Sequence, residues 1–98
     1  MSAQGPVIGV LTLELRIEDS QSLKDKRQVL KSLKDRLRER FNVSIAEIDH
    51  LDSWQRSVVA AVTVSNERVY AEQLLQAVER HAAGLLGGSL ISVGVEWL

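Results

Sequence analysis

The 98 residues predict an α+β sandwich in which four antiparallel strands form one sheet and two helices cover one of its faces, in the order βαββαβ. Three features carry this. Residues 9–17, GVLTLELRI, alternate strictly between apolar and polar. Two longer stretches, 23–41 and 67–84, repeat their apolar residues at helical spacing. Turn chemistry separates these from three more short runs of strand character.

The first strand, VIGVLTLELRI at 7–17, puts Leu11, Leu13, Leu15 and Ile17 on one face and Thr12, Glu14 and Arg16 on the other. Glu18 to Gln21 form a turn, and Ser22 with Asp25 three residues on resembles a capping box with Asp in place of Glu, so a helix starts there. The spacing ends it at Phe41-Asn42, where Asn is suited to a left-handed closing residue. VSIAEIDH at 43–50 reads as a second strand whose phase slips from odd to even positions, which predicts a bulge or an open edge near Glu47. LDSWQ then makes a hairpin loop into RSVVAAVTVS at 56–65. Asn66 and Glu67 open the second helix, closed by Gly84 or by the Gly87-Gly88 pair. The last strand, GSLISVGVEWL, sets Ile91, Val93, Val95 and Trp97 on one face. Right-handed crossovers give the spatial order 4-1-3-2, the split βαβ or ferredoxin-like sandwich, as a single domain over 1–98.

A chain of this length buries about 60–65% of its unfolded surface, enough for one core without a staple. The absence of cysteine excludes disulfides, thiolate metal sites and cysteine nucleophiles, and fits a reducing cytoplasm. MSAQGP carries no basic leader region, and VIGVLTL is too short to cross a membrane, so the expectation is a cytoplasmic protein with no membrane partner. The formal net charge is −1, yet eight of the twelve basic residues lie at 24–40 beside only Asp25, Asp35 and Glu39.

On a helical wheel Leu23, Val29, Leu30, Leu33, Leu37 and Phe41 span about 120° and face the core. Lys24, Arg27, Lys31, Lys34 and Arg38 fall in an adjacent arc of about 80° with no acid among them, a basic ridge whose like-charged i,i+4 pairs do not favour the helix. A bound polyanion would balance the ridge. A solvated, solubilising face is the plainer alternative. Lys34 and Asp35 follow Lys31, and Lys31–Asp35 is the one evident i,i+4 relief. Lys26 points into the apolar arc and is expected to snorkel outward along the core edge in a structural role.

The strand residues opposite the leucine-rich side are read as Ile8, Val10, Thr12, Glu14 and Arg16, then Val59, Ala61 and Thr63, then Ser92, Gly94 and Glu96. This face has no aromatic on which bases would stack, so RNA binding through the sheet is disfavoured, and its apolar patch of Ile8, Val10, Val59 and Ala61 suits a subunit contact. Trp54 at the hairpin is either folded over the sheet edge or a partner anchor, with Arg56 pairing Asp52 or stacking on the ring. Asp49, His50 and Asp52 are close in sequence, but alternation separates the first two, and local turn bonding accounts for them better than a metal does. His81 lies on the apolar arc of the second helix as a packed boundary residue. The loop IEDSQ is acidic and lacks the glycine cradle of acylphosphatase-like chemistry. No catalytic constellation, metal site or cofactor site emerges, so the expectation is a non-enzymatic module without cofactor.

SLKDKR at 22–27, RFNVSIAE at 40–47, the stretch Asp52, Trp54, Gln55, Arg56 and VTVSNE at 62–67 resemble the YlxP-like family of small bacterial proteins, over essentially the whole chain before Gly84. The resemblance implies a cytoplasmic bacterial protein of ferredoxin-like fold, often encoded beside ribosome-maturation and translation-initiation factors, and assigns no active residue. Two expectations follow. One is an RNA- or ribosome-associated module gripping phosphates with Lys24, Arg27, Lys31, Lys34 and Arg38. The other is a homodimeric protein-interaction domain that uses its open face or Trp54 and Arg56.

Overall fold

In a computed structural model the chain, described over residues 5–98, forms β1 (Val7–Arg16), α1 (Leu23–Arg40), β2 (Ser44–Asp49), β3 (Arg56–Ser65), α2 (Arg68–Leu86) and β4 (Leu90–Trp97). Residues 1–4, read above for a leader, lie outside the described part. The sheet order β2-β3-β1-β4 is the expected one, with all three pairings antiparallel. The architecture is a ferredoxin-like α+β sandwich.

Alternation in β1 produces the core directly. Leu11, Leu13 and Leu15 are buried and meet Val59 and Ala61 of β3, Leu30, Leu33 and Leu37 of α1, and Leu75, Val78 and Ala82 of α2. Each fully buried leucine contributes on the order of 2 kcal/mol of apolar transfer, which fixes the phase of the strand. Ser22 caps α1 by accepting the Asp25 amide at 3.0 Å, but the Asp25 carboxylate reaches Gln21 rather than Ser22, so the box closes one residue early.

The C-terminus of α1 departs from expectation. Phe41 is extended at φ −131°, and His50 is the one non-glycine with positive φ among the described residues, so Asn42 makes no left-handed closure. Instead the chain passes straight into β2, with the Val43 amide donating to the Phe41 carbonyl at 3.0 Å. Phe41 itself meets His81 edge-on at 5.9 Å, which gives that histidine its boundary place. Gly87, at φ 54°, ends α2, where a side chain would be strained. The bulge expected near Glu47 is present, as a register shift between Glu47 and Asp49.

The β3 phase is opposite to the one read from sequence. Arg16 pairs with Arg56, Thr12 with Ala60 and Val10 with Val62, so even-numbered residues of both central strands share the face away from the helices. Val59, Ala61 and Thr63 are buried in the core, and the uncovered face carries Val58, Ala60, Val62 and Val64 in their place.

Candidate interaction surfaces

The basic ridge is built as α1 dictates: an unbroken helix places positions 24, 27, 31, 34 and 38 along one stripe about 21 Å long. The five cations are not equally free. Lys31 donates to Asp35 at 2.7 Å, the i,i+4 pair expected, and Arg38 reaches across to the Ile45 carbonyl of β2 at 2.9 Å. The hydrogen bond from Lys31, with the charges of Lys31, Arg38 and Lys34 behind it, holds the Asp35 carboxyl below its ordinary range despite the opposing cost of burial. Asp35 is thus the ridge's own counterion. Lys24, Arg27 and Lys34 have no carboxylate within 4 Å among the described residues.

Lys26 corrects the expectation of a snorkelling side chain, because it is fully buried, at 0% exposure. Its ammonium donates to the carbonyls of His50 at 2.7 Å, Arg56 at 3.2 Å and Leu51 at 3.4 Å, and pairs with the Glu47 carboxylate at 2.9 Å. Glu47 also accepts from the buried Ser57 hydroxyl at 2.7 Å. Both Glu47 and Ser57 occupy odd positions on the helix side of the sheet, so the charge from α1 finds its partners where the pleat aims them. The outcome is structural, as expected, by a different route: Lys26 fastens α1 to both ends of the β2–β3 hairpin.

That hairpin presents Trp54, which is 57% exposed and not folded back, together with the exposed Ile48 and Leu51. Gln55 ties the loop to the β1–α1 turn through the Glu18 and Ser20 carbonyls at 3.1 and 3.3 Å. Arg56 neither pairs with Asp52 nor stacks on Trp54. Its partner is Glu14 on the adjacent strand, at 3.5 Å, because both belong to the uncovered face. Asp49 bonds the His50 amide at 2.7 Å, which is local turn chemistry.

The uncovered face carries an apolar patch. Ile8 and Val10 of β1 lie beside Val58, Ala60, Val62 and Val64 of β3, with Val64 62% and the adjoining Leu98 73% exposed. Glu14, Arg16 and Arg56 border it at one end. Sequence reasoning missed the four β3 residues, since RSVVAAVTVS is apolar in both phases, and it missed the pairing of Lys26 with Glu47. The signal for that pairing was present: each is a charge at an inward position of an otherwise apolar stripe.

Comparison with known proteins agrees with this architecture. Among solved structures, the designed protein Foldit4 superposes with a TM-score of 0.59 over 96% of this chain and 97% of its own at 16% identity. A dimeric ferredoxin-like protein of unknown function from Thermobifida fusca YX gives 0.53 over 100% and 94%, also at 16% identity. Such likeness speaks to the fold. In sequence, the uncharacterized protein YlxP of Bacillus subtilis (strain 168) is 46% identical over 72 residues, covering 74% of this chain and 78% of that protein. The family described as protein of unknown function DUF503 matches residues 8–94, and the chain belongs to it.

Proposed function

We propose that the chain is a non-catalytic protein-interaction module of the bacterial cytoplasm that pairs with a second copy of itself through the uncovered face of its sheet. One observation carries this reading: the two central strands offer five partly exposed apolar side chains, Ile8, Val10, Val58, Val62 and Val64, around the nearly buried Ala60, to a face over which no helix of the described residues lies. Sheet faces of this kind are buried by stacking on another sheet at about 10 Å, and a second copy supplies one of the same composition. The dimeric state of the Thermobifida fusca protein is consistent with it. The non-catalytic part rests on the cleft of about 690 Å³ between α1 and the end of α2, whose carboxylates are Asp19 and Asp25. Asp25 is already engaged by the Gln21 amide, and among the described residues no nucleophile–base pair faces the space. Light scattering tests the reading: Val62→Asp, with an unchanged circular dichroism spectrum, halves the particle mass. An unchanged mass sinks the sheet-face contact.

A second reading has its own observation, the three ridge cations Lys24, Arg27 and Lys34 without a carboxylate partner among the described residues. They would take phosphates of a structured RNA, the ribosome included. With three contacts, log affinity falls against log salt with a slope of about −2 to −3, and the double variant Lys24→Glu, Lys34→Glu flattens it by about 2. A slope that ignores the double variant removes these residues from any RNA contact.

A further inference from the structure

We infer that the cavity between the C-terminal end of α1 and the middle of α2 is an anion site that takes a phosphate dianion, free or as the terminal group of a small phosphomonoester. The cavity, of about 310 Å³, is lined by Arg40, Phe41, Ala77, Arg80 and His81. That volume stands at the small end of ligand sites, which run from about 300 to 1,000 Å³. Two guanidinium groups and an imidazole, contributed by two helices, meet at this one space, and no carboxylate lines it. The larger cleft between the same helices differs, because there Arg36 is offset by Asp19 and Asp25. Glu39 and Glu79 precede the two arginines in the chain, yet among the described residues no carboxylate comes within 4 Å of either guanidinium.

The way α1 ends assembles the site. Phe41 leaves the helix extended, at φ −131°, and its ring meets His81 edge-on at 5.9 Å, so the two helices are joined at the cavity wall, with Arg40 contributed by one and Arg80 by the other. The macrodipole of α1 favours a cation in its last turn, which accounts for Arg40. It does not account for Arg80 or His81, since neither stands in the last turn of α2. Like charges facing one space from two helices repel, and an anion between them turns that repulsion into attraction. Geometry selects the anion. A carboxylate is satisfied by a single guanidinium fork, whereas a phosphate points its oxygens in several directions and accepts from both forks and from an imidazole N–H together. The site is separate from the basic ridge, because Arg40 lies at least about 120° round α1 from every ridge residue. It also lies on the helix side of the sheet, and so stands whether or not the uncovered face pairs two copies.

Amide NMR of the isotopically labelled chain tests the site by titration with inorganic phosphate, the ionic strength being held constant with sodium chloride. The amides of Phe41, Arg80 and His81 are expected to shift along saturating curves in the millimolar range. Arg40→Gln and Arg80→Gln each weaken binding by about tenfold, the worth of one hydrogen-bonded contact to a charged group, and together they abolish saturation. Both side chains are exposed, so the variants keep the fold, and the dispersion of the same spectra verifies it. Lys24→Glu with Lys34→Glu leaves the titration unchanged. Adenosine monophosphate distinguishes the two sources of the ligand: tighter saturation of the same amides than with inorganic phosphate identifies an organic phosphate, and equal or weaker saturation identifies the free ion. Shifts that never saturate, that persist in the double variant Arg40→Gln, Arg80→Gln, or that appear equally with acetate or with adenosine overturn the site, as does a response to a structured RNA without one to phosphate.

Discussion

Lys26→Ala lowers the free energy of unfolding by about 3–5 kcal/mol, the cost of breaking a buried ion pair by removing one partner. The side chain is wholly buried and gives its ammonium to the His50, Leu51 and Arg56 carbonyls as well as to Glu47. Without it, the Glu47 carboxylate keeps only the Ser57 hydroxyl in a largely enclosed position, and the three carbonyls lose their donor together. Lys26→Met preserves most of the volume and removes the charge, so it separates packing from electrostatics. It should lose nearly as much as Lys26→Ala. Adding Glu47→Gln to Lys26→Met restores part of the loss, because the uncompensated charge then disappears. Urea titration at neutral pH measures all three, and a loss below about 1 kcal/mol for Lys26→Ala would show that the node contributes little. The hairpin is the region that responds locally. Both of its ends hang on one ammonium, so amide exchange at Leu51 to Arg56 accelerates before the sheet centre does. Trp54, exposed on that loop, is thereby held in place by a residue of a different element.

The parts of the fold legible in the sequence are those where local chemistry has one outcome. Strand β1 alternates without ambiguity, and its odd residues are the core. Ser22 has no competing role and caps its helix. The phase slip in VSIAEIDH appears as the Glu47/Asp49 bulge. In β3 the same reasoning failed, because Val58 and Val59 are equally apolar, as are Ala60 and Ala61, and only pairing with β1 decides which set turns inward. The phase matters for the candidate site, since Val59 lies in the core at 0% exposure while Val58 and Val62 lie on the uncovered face. The basic stripe was legible as a pattern and the Lys31–Asp35 pair as a spacing. The bond from Arg38 to Ile45 was not, because it depends on how closely β2 passes the end of α1. Lys26 lies between these cases: its inward position could be read from the wheel, whereas the convergence of three carbonyls on it required the hairpin's path.

Gly9→Ala destabilises the fold by about 1–3 kcal/mol, a cost of overpacking rather than of lost contact. Gly9 is a buried position of β1, paired with Thr63 on one side and Trp97 on the other. A Cβ there would sit 2.6 Å from the Trp97 Cζ3 atom and 2.8 Å from the Leu75 Cδ1 atom. Neither neighbour has an easy retreat. Leu75 is 2% exposed in the middle of α2, and Trp97 is stacked by the Arg68 guanidinium, 4.0 Å from the ring centroid. The indole therefore tilts and strains its stack with Arg68, which should shift the Trp97 fluorescence relative to a Trp54→Phe background. Gly94→Ala is the matched control. It lies in the neighbouring strand with nothing within 4 Å of its added methyl, so it gains about 0.4–1 kcal/mol from the reduced freedom of the unfolded chain. The same Gly→Ala change thus takes opposite signs in two adjacent strands, decided only by whether an indole lies over the backbone. If urea midpoints move in the same direction for both, then packing of Trp97 on Gly9 is not what requires glycine there.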